Sequence, residues 1–323
     1  MVNLEKIYFE EPCSIKEEVF KLINRLLSKD NIVLLTSGTT GKPKEICIDS
    51  NKILEKNRIG STDEKWLLTF NPNRWSGVSV ISHILKSNCS LYVPKTHEYK
   101  DLIECGFKNK TTHISLTPSL FRTILLNDSS DKFKNISFKQ ITFGGEVAKQ
   151  SILNTAKKTF PEARITQVYA STETGDICSV SDCLEGIPKY KLEKDNFKFN
   201  SKNELIVNGF NTQDVWELDE SSSRYYFKGR IKEIINVGGI KISPHKVEES
   251  ALEEGADFAK AYSIGNPILG SLVCLEYVGN ISEKDLKIRL KEKLSKYEMP
   301  AKFIKLERIE LTEAGKLQRI TKE

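Results

Sequence analysis

The run Thr36-Ser37-Gly38-Thr39-Thr40-Gly41-Lys42-Pro43-Lys44 sets hydroxyls, two glycines and two lysines directly after the apolar Ile32-Val33-Leu34-Leu35. Backbone amides in such a loop can converge on anionic oxygens, hydroxyls add donors and a lysine supplies the compensating charge, so the chemistry is phosphate handling. Glycine at 38 and 41 permits the close approach. Two common nucleotide patterns are excluded. G-x-x-x-x-G-K-[ST] fails because Pro43 stands where a hydroxyl should follow the lysine, and no strand-associated G-x-G-x-x-G is present. A second constellation, Tyr169-Ala170-Ser171-Thr172-Glu173-Thr174-Gly175, offers a flat ring for a base, hydroxyls for phosphate oxygens and a carboxylate able to ligate Mg²⁺. A capped helix start accounts for the same residues equally well. Gly144-Gly145-Glu146 would let backbone approach a ligand, or would simply turn a strand into a helix.

These residues need a scaffold, and the periodicity describes one. Ser14-Ile15-Lys16-Glu17 reads as a capping box, followed by Ile15, Val19, Leu22, Ile23, Leu26 and Leu27 on one face of a helix from Ser14 to Ser28. A strand from Ile32 to Leu35 then delivers the phosphate loop. Strand-like runs at Trp66–Phe70, Ser90–Val93, Thr111–Leu116, Gln140–Phe143 and Arg164–Val168 alternate with helix-sized segments such as Val147–Phe160, which means an α/β domain. From Asn203 the texture becomes β-rich, with strands at Glu204–Val207 and Tyr225–Phe227. Beyond Gly229-Arg230 it becomes α+β, with a helix near Pro244–Glu254, strands near Ala259–Ser263 and Ser271–Val278, and a helix capped by Ser282 that carries Leu286, Leu290, Leu294 and Tyr297. The domain boundary is expected at Gly229 to Lys232, giving domains 1–229 and 230–323.

At 323 residues, with 39% hydrophobic and 29% charged residues, the chain has room for about two domains of ordinary globular composition. A net charge of +5, its lysines scattered among glutamates, gives no basis for nucleic-acid or membrane binding. No apolar run reaches membrane-spanning length and the start lacks a signal-peptide core, so a cytoplasmic location is expected. The seven cysteines are odd in number and spread out, which indicates reduced thiols. No Cys-x-x-Cys occurs and no histidine lies near Cys178 and Cys183, so zinc is not expected.

The first run resembles the T-S-G-T-T-G-x-P-K signature of the adenylate-forming superfamily, which includes acyl- and aryl-CoA ligases, peptide-synthetase adenylation domains and luciferases. The resemblance extends from about Asn31 to Arg319 in several blocks that keep the family order. It implies an ATP site made of Thr36, Ser37, Gly38, Thr39, Thr40, Gly41 and Lys44, with Gly145 in the adenine segment beside Gly144. The second block is similar to Tyr-Gly-x-Thr-Glu, which implies Tyr169 against adenine, Thr172 on phosphate and Glu173 on magnesium. Ala170 replaces the usual glycine and narrows the carboxylate pocket. Thr212-Gln213-Asp214 resembles Thr-Gly-Asp, whose aspartate accepts the ribose hydroxyls, with Gln213 in the place of glycine. Lys228-Gly229-Arg230-Ile231-Lys232 resembles Gly-Arg-x-(Lys/Asp), implying Arg230 at the ribose and Lys232 as the hinge of a mobile C-terminal domain. Gly238-Gly239 matches a loop lining the thiol tunnel, although an ordinary β-turn explains it as well. Thr312-Glu313-Ala314-Gly315-Lys316 resembles the block whose lysine stabilises the adenylation transition state, which makes Lys316 the expected catalytic residue together with Thr172 and Glu173.

The implied activity is ATP-dependent, AMP-forming ligation of a small carboxylic acid to a thiol. Coenzyme A is the expected acceptor, with an acyl carrier protein or an amine as the alternative and a degenerate nucleotide-binding module as the remote one. Asn71 to Val78 aligns with an acyl-pocket segment, where Arg74 would pair with a second carboxylate and Trp75 would line an aromatic slot beside Gly77, Gly144 and Ala170. A surface arginine and a core tryptophan are the plainer reading. Only 35 residues precede Thr36, fewer than is usual in the family, so either a homodimer or an open acyl pocket is expected. This texture resembles the o-succinylbenzoate-CoA ligases.

Overall fold

The computed structural model describes residues 4–36, 44–56, 59–194 and 196–307. The chain divides into two compact units, residues 1–186 and residues 187–312.

In the first unit, β1 (Ile7–Phe9), β4 (Lys65–Leu67), β5 (Ser90–Val93), β6 (His113–Leu116), β7 (Gln140–Gly144), β8 (Arg164–Ser171) and β9 (Gly175–Val180) form one sheet in the order β1-β5-β4-β6-β7-β8-β9. All neighbours are parallel except β8 and β9. A separate antiparallel ribbon pairs β2 (Ile32–Thr36) with β3 (Lys44–Ile48), from Ile32 opposite Ile48 to Thr36 opposite Lys44. The strands on either side of the phosphate run therefore form a ribbon of their own outside the main sheet, and β3 carried too little alternation to be expected.

The helices α1 (Lys16–Ser28), α2 (Ser50–Lys56), α3 (Trp75–Ser87), α4 (Tyr99–Asn109), α5 (Pro118–Asn127) and α6 (Gln150–Thr159) connect these strands. Val19, Leu22, Ile23 and Leu26 of α1 join Val78, Ile81 and Ile84 of α3 in one buried cluster with Trp66 and Leu91. Burying each such aliphatic chain contributes roughly 1.5–3 kcal/mol. The expected capping box of α1 is not formed. Ser14 Oγ instead donates to the carbonyl of Lys95, 3.0 Å away, and the helix starts one residue later than a Ser14 cap requires. α5 is better defined, with Pro118 in its first turn and Thr117 Oγ1 accepting from the Leu120 amide. The chain moves from β4 through α3 outward to β5, then from β5 through α4 back past β4 to β6. That reversal of strand order marks the place where open α/β sheets bind ligands, outside the carboxyl ends of the strands.

The second unit holds two five-stranded sheets. β10 (Ile187–Pro188), β11 (Phe197–Phe199), β12 (Glu204–Val207), β13 (Phe210–Asp219) and β14 (Arg224–Arg230) form an antiparallel sheet in the order β10-β14-β13-β12-β11, with the short α7 (Lys189–Leu192) beside it. β15 (Ile235–Val237), β16 (Ile240–Ile242), β17 (Phe258–Asn266), β18 (Gly270–Val278) and β19 (Lys302–Lys305) form the other, against α8 (Pro244–Glu253) and α9 (Glu283–Lys293). α9 starts as its residues indicate, Ser282 Oγ accepting from the Asp285 amide at 3.1 Å. The segment Gly229 to Lys232 runs between the two sheets. This mixed α/β architecture is the expected fold class. Among the described residues no helix is long and apolar enough to cross a membrane.

Candidate functional site

Three predicted segments lie at the carboxyl end of the parallel strands in the first unit: Asn71 to Trp75 after β4, Gly144-Gly145 closing β7, and Ser171 to Gly175 closing β8. The last is a hairpin turn and not a helix start. Ser171 Oγ accepts from the Thr174 amide at 3.1 Å and bonds Thr174 Oγ1 at 2.8 Å, which ties the two ends of the turn together. Thr172 is half-buried and Glu173 exposed at its tip. Register slips by one residue between Tyr169 and Ala170, the extra residue being Ile177 on β9, so a bulge lies opposite the position where the family pattern has glycine.

Trp75 and Arg74 open α3, and Gly77 explains how that helix start is held. A Cβ on Gly77 would fall 2.2 Å from the Asn71 carbonyl oxygen and 2.8 Å from Pro72 Cα, so only glycine lets α3 close against its own entry loop. Arg74 donates its backbone amide to the Asn71 carbonyl at 3.1 Å. The Trp75 ring lies flush against Gly175, where an added Cβ would sit 3.1 Å from Cζ2. Its Nε1–H donates to Asp176 Oδ1 at 2.9 Å, and Ser79 Oγ donates to Asp176 Oδ2 at 3.3 Å. α3 and the Ser171–Gly175 hairpin are thus fastened together. Asp176 was not singled out in the sequence; a carboxylate immediately after the glycine ending the second block was the available signal. Gly145 adopts φ +80° and so turns the chain, and Glu146 Oε2 accepts from the Ser119 amide at 3.1 Å at the start of α5. At Gly144 the space is open, the nearest atom to an added Cβ being Val168 O at 3.8 Å.

In the second unit Asp214 and Arg230 face each other across β13 and β14. Arg230 Nε donates to Asp214 Oδ1 at 2.7 Å, with the carboxylate almost fully buried and the guanidinium half-exposed. Gln213, where glycine is usual, has φ +62°, a left-handed conformation that favours glycine. Its amide donates to Asn211 Oδ1 at 2.8 Å, and Asn211 Nδ2 donates to the buried Glu204 carboxylate at 3.0 Å. Glu204 also accepts from Asn200, and these two amides hold its carboxyl below the usual carboxylate range despite opposition from burial. Lys232 lies in a single 3₁₀ turn, Ile231–Glu233. Around that turn His245 reaches Glu233 at 3.4 Å and packs edge-on against Phe227, while Ser243 Oγ donates to the Lys228 carbonyl at 3.0 Å. Gly238 and Gly239, at φ +57° and +89°, make the two-residue turn between β15 and β16 for which paired left-handed residues are suited. Cavities of about 440 Å³ near Asp257 and 300 Å³ near Phe199 are lined by none of the predicted site residues.

Ser37, Gly38, Thr39, Thr40, Gly41 and Lys316 lie outside the described residues, as do the side chains of Thr36 and Lys44.

The family described as AMP-binding enzyme matches residues 7–196. A 2-succinylbenzoate--CoA ligase of Lactococcus lactis subsp. lactis (strain IL1403) is 25% identical, over 89% of this chain and 69% of its own length. An o-succinylbenzoate CoA synthetase from Bacillus subtilis, solved in complex with the acyl-adenylate intermediate OSB-AMP, superposes with a TM-score of 0.65 at 22% identity, over 89% of this chain and 67% of that one. An anthranilate CoA ligase in complex with anthranoyl-AMP gives 0.73 at 15%, over 90% and 66%. At these identities the two structures speak to the fold, which is shared over about two thirds of their length.

Proposed function

The chain belongs to the AMP-binding enzyme family, and from that premise we propose that it is an AMP-forming carboxylate ligase that activates an aromatic or dicarboxylic acid and passes the acyl group to coenzyme A. The observation that carries this reading is the gathering of Asn71–Trp75, Gly144-Gly145 and Ser171–Gly175 at one end of the parallel sheet. There the Trp75 ring and the open face at Gly144 suit a planar acid, and the Tyr169 to Glu173 block suits a nucleotide.

In the first half-reaction a carboxylate oxygen attacks the α-phosphorus of ATP and pyrophosphate leaves. An anion is attacking an anionic phosphate, so the barrier falls only where oriented donors and cations offset the charge away from water. The hydroxyls and Lys44 of the phosphate run, Thr172 and Lys316 fill that role, while the Asp214 carboxylate, set by Arg230, accepts the ribose hydroxyls. Glu173 has the oxygen chemistry of a magnesium ligand and no hydrogen-bond or ion-pair partner among the described residues. A magnesium ion bound there would neutralise phosphate charge. In the second half-reaction the thiol sulfur attacks the acyl carbon and AMP departs; rotation at Lys232 exchanges Lys316 for the Gly238-Gly239 turn between the two steps.

The test is acid-dependent pyrophosphate release with ATP over a panel of aromatic and dicarboxylic acids, 2-succinylbenzoate and anthranilate among them, followed by the product mass with coenzyme A, carrier protein or amine. Release with at least one acid, lost in Lys316→Ala, and an acyl-CoA mass are expected. Arg74→Ala is expected to raise KM for dicarboxylic acids while leaving monocarboxylic ones in place, and equal loss on both removes Arg74 from recognition. No release with any acid contradicts the assignment.

A further inference from the structure

At the opposite end of the same sheet, where the parallel strands begin, four residues far apart in sequence come together. Glu64 immediately precedes β4, Cys89 immediately precedes β5, His113 begins β6, and His83 lies on the C-terminal half of α3. The ligand atoms of Glu64, His83 and Cys89 all lie within 4.8 Å of one another. His83 Nε2 is 3.1 Å from Glu64 Oε2, and His113 Nε2 is 3.9 Å from Glu64 Oε1. Tetrahedral zinc, with bonds near 2.0–2.3 Å, holds its ligand atoms roughly 3.3–3.6 Å apart, so Glu64, His83 and Cys89 need to close by only about an ångström, with His113 reaching the group from the Glu64 side.

The surroundings orient the donors. Trp66 Nε1–H donates to Glu64 Oε2 at 2.8 Å and the Ser61 amide donates to Oε1 at 3.0 Å, fixing the carboxylate while leaving each oxygen a lone pair. The Thr112 hydroxyl accepts from the Lys65 amide at 3.0 Å and bonds His113 Nδ1 at 2.8 Å, which fixes the His113 ring with Nε2 on the side of Glu64. Histidines held through the second ring nitrogen and carboxylates held by outer donors are the usual support of a metal centre. An isolated Glu64–His83 ion pair would account for the carboxylate and one imidazole. It leaves a second imidazole oriented on the same carboxylate, and Cys89, which also packs in the buried cluster with Trp66 and Leu91, adds a sulfur; a sulfur, nitrogen and oxygen set selects zinc over magnesium or calcium.

We propose that Glu64, His83, Cys89 and His113 form a structural zinc site that pins the end of α3 to the amino ends of β4, β5 and β6, remote from the nucleotide chemistry. The expectation that zinc was absent considered Cys178 and Cys183; residues 64, 83, 89 and 113 have no motif spacing, and only strand order unites them. Binding releases the Cys89 thiol proton to solvent and forms the metal–sulfur bond.

The full chain, stripped with chelator, is titrated with zinc chloride alone against a chromophoric competitor, and separately with cobalt chloride. One equivalent of tightly bound zinc is expected, with a thiolate-to-cobalt charge-transfer band. Cys89→Ser and His83→Gln are expected to lose that band and the tight site, Cys47→Ser to keep both, and Trp66→Phe to weaken affinity ~10-fold or more through loss of its outer hydrogen bond. Absence of a stoichiometric site in the wild-type protein, or of the thiolate band, overturns the proposal even if the variants fail to fold, and retention of the band by Cys89→Ser overturns it too. Ligase activity does not enter this readout, so the two readings fail separately.

Discussion

Gln213 carries its amide and side chain on a backbone that most residues avoid, at φ +62°. A non-glycine residue there costs about 1–2 kcal/mol, and glycine returns about half of that through its looser unfolded chain. Gln213→Gly is therefore expected to stabilise the protein by about 0.5–1 kcal/mol in denaturant titration, whereas destabilisation would contradict the left-handed assignment. Trp75→Phe keeps a ring over Gly175 but removes the donor to Asp176. It is expected to raise KM for aromatic acids more than it lowers kcat, and unchanged kinetics would reduce Trp75 to a core residue. What was legible at this scale is the pattern: Tyr169, Glu173, Asp214 and Arg230 stand in recognisable blocks, and the structure pairs Asp214 with Arg230. The requirement at 213 was legible only as a departure from that pattern, and Asp176 was hidden because its partners, Trp75 and Ser79, are about a hundred positions away.

The elements that hold these residues depend on one close approach and one buried carboxylate. Gly77→Ala puts a methyl 2.2 Å from the Asn71 carbonyl oxygen, so α3 must shift; about 1–3 kcal/mol of destabilisation is expected, together with loss of acid-dependent turnover, and a neutral result would contradict the packing described. Glu204 ties the β11–β12 turn to β13, and its carboxyl is held below its ordinary value of 4.5 by Asn200 and Asn211. A lowered carboxyl stabilises the fold above its unfolded pKa and loses that contribution as pH falls through the folded one. Wild-type stability should thus decline from about pH 5 downward more steeply than that of Glu204→Gln; parallel curves would show that Glu204 is uncoupled from folding. Helical periodicity located α1 and α9 because their buried leucines recur on one face. β3, β9, β15 and β16 escaped notice because they carry little alternation and are placed by pairing across turns.

At the scale of the molecule, the parallel sheet presents two ends with different chemistry, one bearing the segments proposed to hold nucleotide and acid and the other gathering Glu64, His83, Cys89 and His113. The α/β character and the change of texture near Asn203 could be read from the order of strands and helices. The reversal of strand order around β4 could not, because pairing across a sheet leaves no mark on local sequence. The central claim is that a carboxylate oxygen captures the α-phosphorus of ATP, and the most direct measurement follows that oxygen. With an accepted acid labelled with heavy oxygen in its carboxyl group, ATP, magnesium and coenzyme A, the account predicts AMP carrying the label beside unlabelled pyrophosphate. ADP as product, or AMP without label, would contradict it.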